Sequence, residues 1–215
     1  GKYPSPRQAH QPEFGTQHPT ALGTLICDFD IPKNMTEYKI LFTGTMGAGK
    51  TTAIAAISEM SPVMTDVLNS DASVAKARTT VGLDFGVLTL DSGDRVRLFG
   101  TPGQTRFDFL WKILAKNALG LIILTDNSRP DPVADLAVYL EGFSEELRQI
   151  PCAIGIGRSD THPHPDIDAY CTLLESKNLI FPIIPVDVRQ REDVLLLIDT
   201  LLSQIEASIY GADFD

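Results

Sequence analysis

The sequence predicts a three-layer α/β sandwich, with a six-stranded, mostly parallel sheet, one antiparallel edge strand, and helices on both faces. Three observations favour this fold. From residue 37 onwards, apolar runs typical of buried strands alternate with segments of helical character. A glycine-rich loop lies between the first strand and the first helix. Two segments flanking the turn at residues 91–94 alternate apolar and polar side chains, which is typical of an antiparallel hairpin.

The elements follow from these patterns in chain order. The first strand lies at residues 40–42 and its helix at 51–60, and the hairpin strands lie at 85–90 and 95–99. The later strands are apolar on both faces, so we expect helices to cover the sheet on both sides. The remaining predicted elements are helix 107–117, strand 119–125, helix 132–149, strand 152–156, helix 167–177, strand 180–186 and helix 192–210.

The chain divides into an extension and one folded domain. Residues 1–34 contain five of the 14 prolines and show neither a helical nor a strand period. We expect them to be a flexible leader, or to lay residues 21–29 as a strand on the domain surface. Residues 35–215 form the domain itself.

Composition excludes several classes of protein. With 43% hydrophobic and 21% charged residues, the 215-residue chain matches a globular average. A net charge of −10 opposes non-specific binding to nucleic acid or to an anionic membrane, so an anionic ligand must be captured by local geometry. No apolar run is long enough to span a bilayer. The three cysteines form no CxxC pair, which favours reduced thiols and a cytoplasmic location.

Residues 44–51 match the phosphate-binding pattern GxxxxGK[ST] between a predicted strand and a predicted helix. Gly44 and Gly49 allow successive backbone N–H groups to face one anion, and the helix beginning there adds its positive end. Lys50 is expected to bridge two phosphates, and Thr51 to supply an oxygen to Mg²⁺. A glycine-rich turn with a coincidental Lys-Thr is the alternative. The predicted phosphate-binding residues are Gly44, Thr45, Met46, Gly47, Ala48, Gly49, Lys50, Thr51 and Thr52.

A polar loop at residues 76–80 leads into the second strand. A threonine there can bind Mg²⁺ through its hydroxyl while its backbone N–H meets a terminal phosphate, so the loop would be ordered by that phosphate. Thr80 is the first candidate and Thr79 the second. The alternative is that a β-branched residue simply begins the strand.

Residues 100–104 read Gly-Thr-Pro-Gly-Gln. This segment resembles the second switch of the Ras-like small GTPases, which reads DxxGQ after the third strand. It resembles more closely that of the bacterial MglA-like and Arf-like predicted GTPases, which often reads GTPGQ. The resemblance covers about residues 37–210 and implies the fold of the P-loop NTPases, GTP and GDP as ligands, and Mg²⁺ as cofactor. A Gly-Pro turn between strand and helix is the alternative.

The resemblance also implies catalytic roles. Gly103 would offer its N–H to the γ-phosphate, and Gln104 would orient the attacking water. Gly100 departs from the pattern, because the aspartate that holds a Mg²⁺-bound water is missing, which leaves the metal geometry open. Arg78 is a candidate for an arginine supplied in cis, and Arg106 is a second; an ordinary surface charge is the alternative for both.

Base recognition is expected in two loops. Small GTPases use NKxD after the fifth strand, and residues 157–160 keep only the aspartate of that motif. Asp160 could accept hydrogen bonds from the two donors on the guanine edge, with the stem of Arg158 on the base face; a cap or turn role is the alternative for Asp160. Asp187 and Val188 occupy the place of the SAK-type loop, where backbone N–H groups meet the base carbonyl.

These features predict a cytoplasmic switch that binds GTP and Mg²⁺, hydrolyses GTP slowly and regulates signalling or polarity through partners. The resemblance implies a Roadblock-type regulator or another effector protein at residues 76–86 and 101–112, with an apolar set comprising Val81, Leu83, Phe107, Phe109 and Trp111. One alternative is an ATP-dependent P-loop kinase of small molecules. Another is a scaffold that binds nucleotide without turnover.

Overall fold

The strands and helices of the computed structural model follow one another in the predicted order. The predicted extension, residues 1–34, lies outside the described part of the chain, and so do Arg78, Thr79, Thr80 and Arg106. The structure describes residues 37–60, 65–67, 81–104 and 107–212.

All six predicted strands are present, together with a short seventh strand that the sequence did not predict. The predicted helix 132–149 is shorter than expected: it ends at residue 142, and residues 146–148 form a separate 3₁₀ turn. The elements are β1 (Glu37–Gly44), α1 (Lys50–Ile57), β2 (Thr65–Val67), β3 (Val81–Thr89), β4 (Arg95–Gly100), α2 (Asp108–Ala115), β5 (Gly120–Asp126), α3 (Pro132–Gly142), β6 (Cys152–Gly157), α4 (Ile167–Ser176), β7 (Ile183–Val186) and α5 (Arg191–Ala212).

The sheet has the strand order β2-β3-β4-β1-β5-β6-β7. The predicted mostly parallel arrangement is confirmed, because β1 pairs in parallel with both β4 and β5, and β6 and β7 continue in parallel. β3 runs antiparallel to β4, as the hairpin signal predicted, and β2 adds an antiparallel edge beyond it. The carboxyl ends of the other six strands therefore meet at one edge of the sheet, together with the amino end of β3.

Two hydrophobic layers cover the two faces of the sheet. Successive residues of one strand belong to different layers: Leu41 packs on one side and Phe42 on the other, and both are fully buried. Helices α1 and α5 cover the Phe42 side, while α2, α3 and α4 cover the Leu41 side. This double burial is the reason that the central strands β5 and β6 are buried along their whole length and carry few polar residues.

Two further properties concern possible membrane-spanning helices and the reactivity of the cysteines. Within the described residues, no helix combines the length and the apolar character that a membrane crossing needs. Cys152 and Cys171 are free, and Cys152 is fully buried in β6, where burial raises the pKa of its thiol. A thiol kept protonated is a weak nucleophile, so Cys152 is a packing residue.

Two neighbouring leucines on α5 provide a test of this packing. Leu197 is fully buried against the sheet, whereas the side chain of Leu196 is 51% exposed. We expect Leu197→Ala to lower the free energy of unfolding by about 3 kcal/mol, because it removes core contacts and leaves a cavity. Leu196→Ala should change it by no more than about 0.5 kcal/mol. Urea denaturation of both variants checks the difference, and equal losses would contradict the assigned face of α5.

Candidate functional site

The loop between β1 and α1 is shaped by glycines that no other residue could replace. Gly44 has φ 135° and Gly49 has φ 89°, both in the region that favours glycine. A Cβ at Gly44 would lie 2.0 Å from the carbonyl oxygen of Leu124, and one at Gly49 would lie 2.6 Å from Cγ2 of Val188. The backbone of this loop is therefore in direct contact with the neighbouring elements.

Lys50 begins α1 and folds back over the loop. Its Nζ donates to the carbonyl oxygens of Gly44 and Thr45, at 2.7 Å each. Only 7% of the residue is exposed, and burial lowers its pKa to about 8, against the opposing charge of Asp84. The buried hydroxyl of Thr45 has no hydrogen-bond partner among the described residues, which is costly unless a ligand supplies one. The ammonium group of Lys50 and the unbonded hydroxyl of Thr45 thus lie at the same loop, and this combination suits an anion.

Thr51 donates its hydroxyl hydrogen to Oδ2 of Asp84 at 2.6 Å. Asp84 lies on β3 directly opposite Gly100 on β4. A Cβ at Gly100 would lie 2.9 Å from both Cβ and Oδ2 of Asp84, so the Asp84 side chain fills the space beside Gly100. The carboxylate that is missing from position 100 is thus present on the neighbouring strand.

Asp84 was missed from the sequence, although a signal for it exists. The hairpin turn pairs residue 90 with residue 94, since the N–H of Leu90 donates to the carbonyl of Asp94. Counting down from residue 90 along β3 and up from residue 94 along β4 places residue 84 opposite residue 100, which is the observed register. A motif is a run of neighbouring residues, whereas residues 84 and 100 become neighbours only through strand pairing.

The donor set around Thr51 fits a magnesium ion. A hydroxyl and a carboxylate are the hard oxygen ligands that Mg²⁺ accepts, and Mg²⁺ usually keeps water and substrate phosphate oxygens as its other ligands. Within the described residues, no group of three or more His, Cys, Asp or Glu side chains could hold a metal ion. Thr51 and Asp84 would therefore hold Mg²⁺ together with bound phosphate, and Thr80 stays a predicted ligand outside the described residues.

The segment after β4 lies against the same loop. A Cβ at Gly103 would lie 2.5 Å from the backbone N of Met46 and 2.8 Å from Nζ of Lys50. Gln104 donates from Nε2 to the thioether sulfur of Met46 at 3.7 Å, which places it at the rim of the loop. An open groove of about 390 Å³ lies there, lined by Thr45, Met46, Gly103, Gln104, Arg129, Asp135, Val138 and Tyr139.

A larger cavity of about 520 Å³ lies on the other side of the loop. It is lined by the tip of the phosphate-binding loop and by the segments that follow β6 and β7. Sequence-predicted site residues from three separate parts of the chain therefore come together around one space: Gly47, Ala48, Gly49, Thr52, Arg158, Asp160, Asp187 and Val188.

Arg158 connects this cavity to the phosphate-binding loop. Its guanidinium donates to the carbonyl oxygen of Gly47 at 3.4 Å and forms an ion pair with Asp126. Burial acts to raise the pKa of Asp126, but hydrogen bonds from Ser128 and Arg158 leave it below its ordinary value. The carboxylate therefore stays charged and fixes the guanidinium. The expected position of the Arg158 stem on a base remains a prediction.

The segment after β7 contains a second ion pair. Arg189 donates to both carboxylate oxygens of Asp187, at 2.8 and 2.7 Å, and these bonds lower the pKa of Asp187 to about 2. The charge of Asp160 also acts on Arg189, raising the pKa of its guanidinium. Arg189 thus offsets two carboxylates beside the cavity, a role that the sequence did not predict.

Two backbone N–H groups of this segment, those of Asp187 and Val188, were predicted to bind a ligand, and one of them already has a partner within the protein. The N–H of Asp187 donates to Oδ2 of Asp193 at 2.8 Å, so it is already engaged within the protein. The sequence-based expectation that both Asp187 and Val188 present N–H groups to a ligand is therefore reduced to Val188. Asp187 contributes through its carboxylate, which holds Arg189.

The mixed sheet, the helices on both faces and the glycine loop between β1 and α1 define an α/β protein of P-loop-like fold. No protein-family model matches the chain. An uncharacterized protein of Methanocaldococcus jannaschii is 27% identical over 124 residues, which cover 58% of this chain and 71% of that protein. Intraflagellar transport protein 22 of Chlamydomonas reinhardtii is 26% identical over 109 residues, which cover 50% of this chain and 53% of that protein. Both likenesses are distant.

Moving the carboxylate between strands tests the metal site. We expect Asp84→Ala to raise at least about tenfold the Mg²⁺ concentration needed to slow release of a fluorescent GDP, because a charged ligand interaction is lost. Gly100→Asp alone should destabilise the protein, since its side chain would collide with Asp84. The double variant Asp84→Gly/Gly100→Asp, which also removes the Cβ of residue 84 from the crowded space, should recover much of the magnesium response.

Asp91→Ala provides the control, because Asp91 is an exposed carboxylate in the hairpin turn. It should leave the magnesium response of GDP release unchanged. An Asp84→Ala variant with the magnesium response of the wild type would show that Asp84 has no part in metal binding.

Proposed function

We propose that the protein is a GTP-binding switch that hydrolyses GTP slowly with the help of Mg²⁺. The observation that carries the proposal is the common cavity, in which the phosphate-binding loop meets the segments that contain Asp160 and Val188. The distant similarity to intraflagellar transport protein 22 is in keeping with a small-GTPase relation, and so is the P-loop-like fold.

Phosphate binding rests on the glycine loop. Lys50 exchanges its bonds to loop carbonyls for bonds to phosphate oxygens, and the N-terminus of α1 adds its partial positive charge. The buried hydroxyl of Thr45 gains a partner at the same time. These contacts bind any nucleoside diphosphate or triphosphate, so they do not select the base.

Mg²⁺ would be held by Thr51 and Asp84, and by Thr80 from the loop that precedes β3. When bound, it neutralises charge on the phosphate oxygens. Thr51 and Asp84 are already connected by a hydrogen bond, so their oxygens are positioned before nucleotide arrives. In this proposal Asp84, which lies opposite Gly100, takes the place of the carboxylate that position 100 lacks.

Base selection rests on Asp160 and its surroundings. A carboxylate accepts two hydrogen bonds from the guanine edge, whereas adenine does not present that pair of donors. The Asp187–Arg189 ion pair offsets the negative charge around Asp160, which limits repulsion between the two carboxylates. Arg158 lies on the side of the phosphate-binding loop, where its stem can cover the base.

Hydrolysis depends on Gln104 for positioning the water. Its side chain already lies at the rim of the phosphate-binding loop, in contact with Met46. Without an arginine committed to the site, the rate resembles that of an unstimulated GTPase. Arg78 and Arg106 stay the proposed sources of an arginine in cis.

A regulatory partner of Roadblock type is proposed at residues 76–86 and 101–112. Its docking surface differs from the sequence-based expectation in one respect: Trp111 is only 2% exposed and belongs to the core. Phe109 is 55% exposed on the same helix and stays in the proposed surface, and Ile113, one residue beyond it, is 64% exposed and would extend its apolar part.

The first prediction concerns the base. We expect GDP to bind more tightly than ADP, and Asp160→Ala to weaken GDP about 10- to 100-fold through loss of charged hydrogen bonds, with little change for ADP. Ser159→Ala, which alters the neighbouring residue in the same cavity, should preserve the preference. Titration with fluorescent nucleotides measures all three proteins. Equal affinity of the wild type for GDP and ADP would instead favour the ATP-dependent kinase.

The second prediction concerns turnover. In single-turnover phosphate-release assays, we expect a rate on the order of 10⁻⁴ to 10⁻² s⁻¹. Gln104→Leu should slow it at least about tenfold while GTP still binds, because the water loses its positioning group. Gln149→Leu, at an exposed position far along the chain, is the matched control. No release by the wild type, despite tight GTP binding, would favour the scaffold without turnover.

A further inference from the structure

Two aromatic side chains hold consecutive carbonyl groups of the segment after β4. Nε1 of Trp111 donates to the carbonyl oxygen of Pro102 at 3.2 Å, and the hydroxyl of Tyr139 donates to that of Gly103 at 3.0 Å. Trp111 belongs to α2 and Tyr139 to α3, so two helices fix one short piece of backbone.

The two donors are themselves rigidly placed. The rings of Trp111 and Tyr139 stack with their centroids 4.7 Å apart. The ring of Phe143 also stacks on Trp111, with the two centroids 5.4 Å apart. Each of these three side chains is at most 2% exposed. Burial raises the pKa of the Tyr139 phenol well above its ordinary value, so the hydroxyl remains a donor. Loss of either buried hydrogen bond would leave a carbonyl unsatisfied.

The opposite side of the same segment faces the phosphate-binding loop. Gly103 packs so closely on the backbone N of Met46 and on Nζ of Lys50 that no Cβ would fit. In a trans peptide the N–H points away from the carbonyl of the same peptide unit. The carbonyls of residues 102 and 103 accept hydrogen bonds from the side chains of Trp111 and Tyr139. The N–H groups of Gly103 and Gln104 therefore point away from those two side chains.

We propose that Trp111 and Tyr139 are positioning residues that aim the backbone N–H groups of residues 103 and 104 at the terminal phosphate of a nucleoside triphosphate. This inference rests on the proposed function, because it requires nucleotide in the phosphate-binding loop. A diphosphate lacks the group that these N–H donors would meet. The hydroxyl of Tyr139 therefore contributes to discrimination between GTP and GDP rather than to nucleotide affinity as a whole.

The same pair connects the phosphate site to the molecular surface. Trp111 lies on the buried face of α2, while Phe109 and Ile113 are exposed on that helix. A shift of residues 102–104 towards a terminal phosphate acts directly on the Trp111 ring through its hydrogen bond. The two arrangements of the segment can thus differ in the position of α2, which supplies a physical basis for a nucleotide-dependent partner.

Tyr139→Phe tests the inference, because it removes the hydroxyl and keeps the stacked ring. We expect the affinity for a non-hydrolysable GTP analogue to fall about five- to tenfold, the effect of one buried hydrogen bond, and the affinity for GDP to stay within about twofold of the wild type. The chain contains one tryptophan, so Trp111 emission reports on the segment directly. Its difference between the GDP and analogue complexes should shrink in the variant.

Tyr170→Phe is the matched control. Tyr170 is also fully buried, and its hydroxyl donates to Asn127 at 2.5 Å, away from residues 102–104. This variant should leave the ratio of GTP-analogue to GDP affinity unchanged. If Tyr139→Phe does not fold in a urea denaturation experiment, Trp111→Phe provides the second test, because it removes the other donor and keeps an aromatic ring.

The outcomes separate the two proposals. A wild-type protein that binds neither guanine nucleotide overturns the proposed function, and this inference with it. A wild type that binds both nucleotides, combined with a Tyr139→Phe variant that keeps the wild-type ratio, overturns only the positioning role. An equal loss for GDP and the GTP analogue assigns Tyr139 a purely structural role and also overturns the inference.

Discussion

Close contact between backbone segments around the phosphate-binding loop is the constraint on which the rest of the site depends. No Cβ fits at Gly44, because it would lie 2.0 Å from the carbonyl oxygen of Leu124 on β5. None fits at Gly49 against Val188, or at Gly103 against Met46. Segments from β1, β4, β5 and β7 can therefore converge only because glycine occupies the points of contact, and this convergence creates the cavity and the groove.

Around the point where these segments converge, positively charged side chains offset the negative charge of this acidic protein. The net charge of −10 opposes anions at long range, yet the described residues around the loop place cations where an anion would lie. Lys50 is buried over the loop, Arg158 is fixed to it by Asp126, and Arg189 offsets the carboxylates of the segment after β7. The short range of these contacts would allow the proposed phosphate ligand to bind against the field of the whole protein.

The sequence predicted the sheet well because burial on both faces leaves a strong, continuous apolar signal, as in β5 and β6. It missed β2 because three residues are too few to show a strand period. It extended α3 too far because the 3₁₀ turn at residues 146–148 continues the helical pattern beyond the end of the helix. Local periodicity does not register such a break.

For the site, the glycine loop between β1 and α1 was predictable because its residues are contiguous. Asp84 and Arg189 were missed for a different reason: their roles depend on neighbours that only strand pairing and loop packing bring close, Gly100 in the first case and Asp160 in the second. Trp111 is buried in the core rather than exposed in the partner surface, and its hydrogen bond to Pro102 has no counterpart in the sequence pattern.

The pairing of Asp84 with Gly100 also constrains how such a protein can evolve. Because a side chain at position 100 would overlap that of Asp84, the two positions cannot change independently. A lineage that moves the carboxylate from one strand to the other must pass through an ancestor with two crowded carboxylates or with none. Because even the Cβ of residue 84 would crowd a side chain at position 100, such a move requires a change at both positions, and the carboxylate cannot simply be transferred by one substitution.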